Sequence, residues 1–241
     1  MRYWIGFTGG YDSTYISWRL LKETNHEITL VNYSQTFMTK NREFSTAGAS
    51  AYQQVNCRRI SKWLKKNVRD HKFKIINQPN FPDNTDFAKQ YMHDCAELAN
   101  NDVADVFVHG LVGFYTDRWK RMLAEFEKYA TKGRMWFPLT EWKKDVAHQM
   151  LELPEELEKM AISCHGPGTE ENGNLIECGG CPKCIRNQLV KENLSNGNSP
   201  ERAMEMLFEE PIHPVLFQAR EFRKQRNSVV WNVSVESQKT R

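Results

Sequence analysis

The chain is 241 residues long and carries 33 Lys and Arg against 30 Asp and Glu, a formal net charge of +3 with 26% of residues charged. That length fits one sizeable α/β domain with a small appendage, and the charge is too even to be a nucleic-acid footprint by itself. No apolar run approaches membrane-spanning length, and Met1-Arg2-Tyr3-Trp4 enters a strand-like run directly, so a cytoplasmic location is expected.

Taken in chain order, short apolar or β-branched runs at residues 3–7, 28–33, 74–76 and 103–108 predict strands. Helices are predicted between them at 13–22, 43–69 and 87–100. In the second, Ala47, Ala51, Val55, Ile60, Leu64 and Val68 are expected to form the apolar face. This alternation predicts an α/β fold: a parallel sheet with helices on both faces, and ligands beyond the carboxyl ends of the strands. After residues 135–137 the texture changes. Residues 142–151 read as one amphipathic helix, Pro154 as the first turn of the next, and residues 155–160 as its continuation. Residues 165–175 form a polar loop, 195–200 break any helix, Ser199 caps residues 200–208, and a polar helix over 214–226 precedes the tail 229–241.

Phe7-Thr8-Gly9-Gly10-Tyr11-Asp12-Ser13-Thr14 joins the first strand to the first helix, with residues 8–12 as the predicted turn. Paired glycines admit close approach of an oxyanion and a positive φ. The unpaired N–H groups and dipole at a helix start suit phosphate. Ser13 and Thr14 add hydroxyls. Asp12 fits beside a polyphosphate as a Mg²⁺ ligand, or alternatively as a plain helix cap. Neither a Walker loop nor a dinucleotide fingerprint is present.

Four of the six cysteines cluster as Cys164 followed by Cys178-x2-Cys181-x2-Cys184. Four soft ligands suit tetrahedral Zn²⁺, and a full thiolate set makes it structural; an iron–sulfur cluster is the competing reading. Gly179, Gly180 and Pro182 favour a tight knuckle there. Cys57 and Cys95 read as buried core thiols, with a catalytic thiol as the sharper alternative.

The glycine loop resembles the S-G-G-x-D-S signature of the PP-loop ATP pyrophosphatases, with Thr8 in place of Ser. Together with the cysteine cluster, the chain resembles the 7-cyano-7-deazaguanine synthase family of queuosine-type deazapurine biosynthesis, as a divergent member. Asn32-Tyr33-Ser34-Gln35, Pro138-Leu139 with Lys144, and Ser163-Cys164-His165-Gly166 also match family segments. The gap from Cys164 to Cys178 is longer than in the family, so residues 169–175 read as an inserted loop. A family P-G-R-N stretch has no clear counterpart, with Tyr91-Met92-His93-Asp94 near its place. The run from His109 to Arg118 lacks the family's S-G-Y-P-D pocket motif.

The resemblance implies an adenine nucleotide alpha hydrolase-like domain over residues 1–160, a zinc-binding segment over 161–194, and a helical extension over 195–241. It implies a ligase that uses ATP with Mg²⁺ to convert 7-carboxy-7-deazaguanine and ammonia to 7-cyano-7-deazaguanine through an adenylated intermediate. Phe7, Thr8, Gly9, Gly10, Tyr11, Asp12, Ser13, Thr14, Asn32 and Tyr33 are the expected nucleotide contacts, and Asp12, Ser13 and Lys144 the catalytic candidates. Lys144 reads equally as a solvated lysine. Phe114, Tyr115 and Asp117 are candidates to hold a flat heterocycle or are ordinary core residues. Arg118, Lys120 and Arg121 read as a wet helix face, and His93 and His109 as locally hydrogen-bonded. A homodimer accords with the family. The rival readings are a PP-loop enzyme acting on a tRNA base, another nucleobase or a protein amine, and a zinc-containing nucleic-acid-binding module whose tail includes Arg220, Arg223, Lys224 and Arg226.

Overall fold

The runs rich in β-branched and aromatic residues form β1 (Arg2–Gly6), β2 (Glu27–Gln35), β3 (Lys72–Gln78), β4 (Val106–Val108) and β5 (Arg134–Trp136). A computed structural model describes residues 1–35, 46–78, 87–111, 118–164, 168–169, 175–219 and 221 of the chain. The five strands make one sheet in the order β3-β2-β1-β4-β5, every neighbouring pair parallel. Helices α1 (Tyr11–Glu23), α2 (Thr46–Asn67), α3 (Phe87–Asn100) and α4 (Arg118–Glu127) lie between successive strands in the chain. From β1 the chain winds outward to β3, then returns to β4 on the other side of β1. The winding direction reverses between β1 and β4, and in open parallel sheets that crevice is where ligands bind.

Strand alternation sorts the side chains to two faces. Trp4, Val31 and Phe107 pack with Tyr91, Met92 and Cys95 of α3 and Phe126 of α4. On the other face Asn32 meets Cys57 of α2. Both faces of the sheet are thus covered, as the strand–helix alternation predicts. Helices α5 (Pro138–Trp142) and α6 (Val146–Glu152) pack on α1, and α7 (Glu155–Met160) packs on α2. A two-stranded antiparallel pair, β6 (Gly168–Thr169) with β7 (Leu175–Ile176), brackets the expected inserted loop, whose residues 170–174 lie outside the described residues.

The chain divides into two compact units, Met1–Cys178 and Gly179–Arg241. The second contains α8 (Pro182–Ser195), α9 (Pro200–Glu205) and a 3-10 turn at Met206–Phe208, which pack on one another, with Val190, Ala203 and Leu207 buried. Ser199 accepts from the Arg202 N–H at 3.2 Å, capping α9 as expected. Residues 214–219 are helical; the remainder of the predicted last helix, save residue 221, and the tail lie outside the described residues. No helix among the described residues is long and apolar enough to cross a membrane.

Four local expectations are corrected. The first helix begins at Tyr11, so the turn is confined to residues 7–10 and Asp12 lies in the first helical turn. Residues 142–151 are two helices rather than one: Lys143 is left-handed (φ 53°), and Asp145 restarts the helix by accepting from the Ala147 and His148 N–H groups. The fourth strand is short because the Asp105 carboxylate takes the Arg2 N–H (2.8 Å) and guanidinium (2.6 Å) just before it. On α2 the expected stripe holds at Ile60 and Leu64, both fully buried, but not at Val55. Val55 is 48% exposed, while Asn56 and Cys57 are 2% and 0% exposed. Counting back by four from Leu64 gives Ile60 and then Asn56, so helical geometry places a polar residue where an apolar one is expected.

Candidate functional site

The turn leaving β1 follows from three interactions. Gly9 has φ +72°, a left-handed conformation that a side chain disfavours. The Thr8 N–H donates to Ser13 Oγ at 3.1 Å, and that hydroxyl donates to the Gly10 carbonyl at 3.3 Å. Ser13, from the first turn of α1, therefore laces the loop closed, and its hydroxyl lies 3.2 Å from that of Thr8. From below, the Phe7 carbonyl accepts from Asn32 Nδ2 at 2.9 Å and from the Cys57 thiol at 3.4 Å. Asn56 Nδ2 donates to the Gly9 carbonyl at 3.1 Å. Side chains of α1, α2 and β2 thus take up the loop's carbonyls, and the start of α1 lies beside it. In general the N–H groups and the dipole at a helix start favour anions.

Asp12 does not cap α1, whose N-cap is Gly10 without a side-chain cap. Its Oδ1 instead accepts from Gln149 Nε2 at 2.9 Å. Gln149 is fully buried in α6 and also donates to the Lys144 carbonyl at 3.1 Å. Beside this pair, Gly110 in the loop after β4 comes so close that an added Cβ would lie 3.1 Å from the Cβ of Asp12. Asp12 is thereby held at the sheet's switch point, between the ends of β1 and β4. The Lys144 ammonium pairs with Glu152, which also accepts from the Tyr15 hydroxyl. Thr14 is buried behind the loop, and its Oγ1 has no partner among the described residues.

Asn32 and Tyr33 fall on opposite faces of β2. Asn32 supports the loop. Tyr33 faces α3, accepts from Trp4 Nε1 at 3.0 Å and meets the Tyr91 ring edge-on at 4.9 Å. Burial raises the hydroxyl pKa of both tyrosines well above the ordinary value, and it pushes the Cys95 thiol beside them up to about 12. Burial likewise raises the Cys57 thiol. At neutral pH both lone cysteines are protonated, consistent with core thiols. His93 Nε2 lies 2.7 Å from Glu125 Oε1, and the His109 ring contacts Tyr91 and Phe137. Phe114, Tyr115 and Asp117 lie outside the described residues, as do His165, Arg220, Arg223, Lys224 and Arg226.

Gly179 turns the knuckle with φ +70°, Cys181 is the N-cap of α8, and Cys184 sits in its first turn. The four Sγ atoms all lie within 4.8 Å of one another. The Cys164 Sγ accepts from the Cys178 N–H at 3.3 Å. Four sulfurs at about 2.3 Å around one tetrahedral ion stand about 3.8 Å apart, and Cys181 and Cys184 are at 3.4 Å. The four cysteines are close enough to hold a metal ion.

Three supporting residues are absent from the sequence-based list: Asn56, Gln149 and Ser163. The first two leave a faint trace, an amide inside an otherwise apolar helix stripe. Ser163, whose Oγ accepts from the Tyr11 N–H at 3.1 Å, stands in the family-matched segment Ser163-Cys164-His165-Gly166, where nothing marks its own role.

No family model matches the chain, and no curated protein does. Among solved structures, a universal stress protein in complex with cAMP matches at 13% identity and a TM-score of 0.35, over 57% of this chain and 95% of that one.

Proposed function

We propose that the chain is an ATP-dependent ligase that splits ATP between its α and β phosphates and converts 7-carboxy-7-deazaguanine and ammonia to 7-cyano-7-deazaguanine. The observation that carries this reading is the Thr8–Gly10 turn, laced by Ser13 and placed at the switch point of a parallel sheet, with Asp12 in the first helical turn.

In this reading the backbone of Gly9 and Gly10 and the start of α1 hold the departing pyrophosphate. Asp12, oriented by Gln149, carries the Mg²⁺ that accompanies ATP. A substrate carboxylate oxygen bonds to the α-phosphorus as the bond to the bridging oxygen breaks. Ammonia then attacks the carboxyl carbon, and AMP leaves with that oxygen to give the amide. A second activation on the amide oxygen, followed by loss of AMP and protons, gives the nitrile. The gain comes from holding oxygen, phosphorus and leaving group in line and from neutralising developing charge. Lys144 serves the phosphates only after leaving its pair with Glu152. The four thiolates would hold a structural Zn²⁺, with no open position for chemistry.

One observation favours a different acceptor: the run from His109 to Arg118 lacks the family's pocket motif. The test is incubation with ATP, Mg²⁺, ammonium and 7-carboxy-7-deazaguanine, with products read by mass spectrometry. AMP with amide or nitrile, lost in Asp12→Ala, is the expected result. AMP formation without a deazapurine product moves the acceptor to a tRNA base, another nucleobase or a protein amine. ADP, or no nucleotide product from metal-replete protein, overturns the proposal.

A further inference from the structure

The stretch that delivers Cys164 to the cysteine cluster also holds the glycine loop. Residues 161–164 have no regular secondary structure. Behind them, Ala161 is tied to the end of α7 by its N–H bond to the Leu157 carbonyl at 3.1 Å. The Ile162 N–H then donates to the Gly9 carbonyl at 3.0 Å, and Ser163 Oγ accepts from the Tyr11 N–H at 3.1 Å. Asn56 Nδ2 bridges the two strips, donating to the carbonyls of Gly9 (3.1 Å) and Met160 (2.9 Å). The fit is close: a Cβ at Gly10 would lie 2.9 Å from Ser163 Oγ and 3.5 Å from the Ile162 carbonyl. The next residue is Cys164, buried, with its Sγ in the four-thiol group.

We propose that Ser163 is a positioning residue for the glycine loop, and that a metal ion in the cysteine cluster, by holding Cys164, fixes Ser163 and Ile162 against that loop. An irregular stretch keeps its place only through its ends and its side bonds. Here α7 secures one end, and the metal-bound cysteine secures the other. Adjacent Cα atoms are about 3.8 Å apart, so a displaced Cys164 carries Ser163 with it and frees the Tyr11 and Gly9 bonds. Metal occupancy thus sets the shape of the loop. The effect on ATP binding rests on the nucleotide reading above, whereas the effect on the loop does not.

The test is hydrogen–deuterium exchange of the full chain over residues 7–14, comparing zinc-loaded protein, zinc-stripped protein and zinc-loaded Ser163→Ala and Ser163→Thr. Loss of one net hydrogen bond of about 1 kcal/mol corresponds to about fivefold faster exchange. That acceleration is expected at Tyr11 in Ser163→Ala, with rescue in Ser163→Thr and a larger, loop-wide increase on stripping. Binding of a non-hydrolysable ATP analogue with Mg²⁺ is expected to weaken in the same order. Verified zinc loss with unchanged exchange over residues 7–14 overturns the coupling. Should stripping unfold the chain, Ser163→Ala decides: unchanged exchange at Tyr11 in the folded, zinc-loaded variant overturns it. Failure of the wild type to bind the analogue counts against the nucleotide reading and leaves the exchange result to judge the clamp.

Discussion

Gln149 offers the sharpest mutational test of how Asp12 is held. Gln149→Leu keeps roughly the same volume at a fully buried position but removes the Nε2 donor shared by Asp12 Oδ1 at 2.9 Å and the Lys144 carbonyl at 3.1 Å. A hydrogen bond to a charged group is worth about 1.5–3 kcal/mol, and a carbonyl left unpaired costs about 1–3 kcal/mol more. The apolar replacement offsets part of this, because the Gln149 Oε1 has no partner among the described residues and is removed too. A net loss of about 2 kcal/mol, or a Tm lower by about 4–8 °C for a domain of this size, is expected by calorimetry. Gln149→Glu should be worse at pH 8, since it sets one carboxylate against another and raises the pKa of one of them. A raised carboxyl is tolerated while protonated and destabilising once ionised, so the deficit of Gln149→Glu relative to Gln149→Leu should shrink toward pH 5. A wild-type Tm in Gln149→Leu, or a deficit in Gln149→Glu independent of pH, would refute the reasoning.

Further outcomes follow from the same contacts. Elemental analysis should find one zinc per chain, reduced by Cys178→Ser, with four thiols becoming titratable when a chelator removes it. Cys57 and Cys95, both buried with raised pKa values, should not react with a thiol reagent at pH 8 until the protein unfolds. Burial opposes ionisation of Glu152, but the hydrogen bonds from Lys144 and Tyr15 outweigh it and hold its pKa below the ordinary value. Its contribution is in place above about pH 4.3, the unfolded value, and is lost as pH falls through the lower folded value. Glu152→Gln should therefore flatten the acid limb of a stability–pH curve. Burial, then the bond to Glu152, raises the Tyr15 pKa. That contribution is fully present below about pH 10, the unfolded value, and is lost as pH rises through the higher folded value, so Tyr15→Phe should flatten the alkaline limb of the same curve.

Four strands of the sheet were legible in the sequence because they are short apolar or β-branched runs, and the first three are each followed by a helix-period stretch; α4 and the three-residue β5 were not predicted. The loop and the cysteine quartet were legible because each is contiguous or nearly so in the chain. What periodicity misses is polar residues serving the backbone of a distant segment. Asn56 was hidden behind Val55, the more apolar neighbour, although the buried stripe passes through Asn56. Gln149 looked like one polar residue in an amphipathic helix, yet it sits fully buried against Asp12. The break between α5 and α6 was concealed because Lys143 is an unremarkable residue in an uncommon conformation, and Asp145 restarts the helix two residues later. Ser163 acts across the fold on Tyr11, a relation no local pattern encodes.

The central claim is that a substrate carboxylate oxygen attacks the α-phosphorus of ATP. The most direct measurement supplies 7-carboxy-7-deazaguanine labelled with ¹⁸O in its carboxylate, together with ATP, Mg²⁺ and ammonium, and weighs the AMP produced. One ¹⁸O in each AMP, with the label absent from pyrophosphate, is the predicted result. Unlabelled AMP, or ADP with labelled carboxylate left intact, would contradict it.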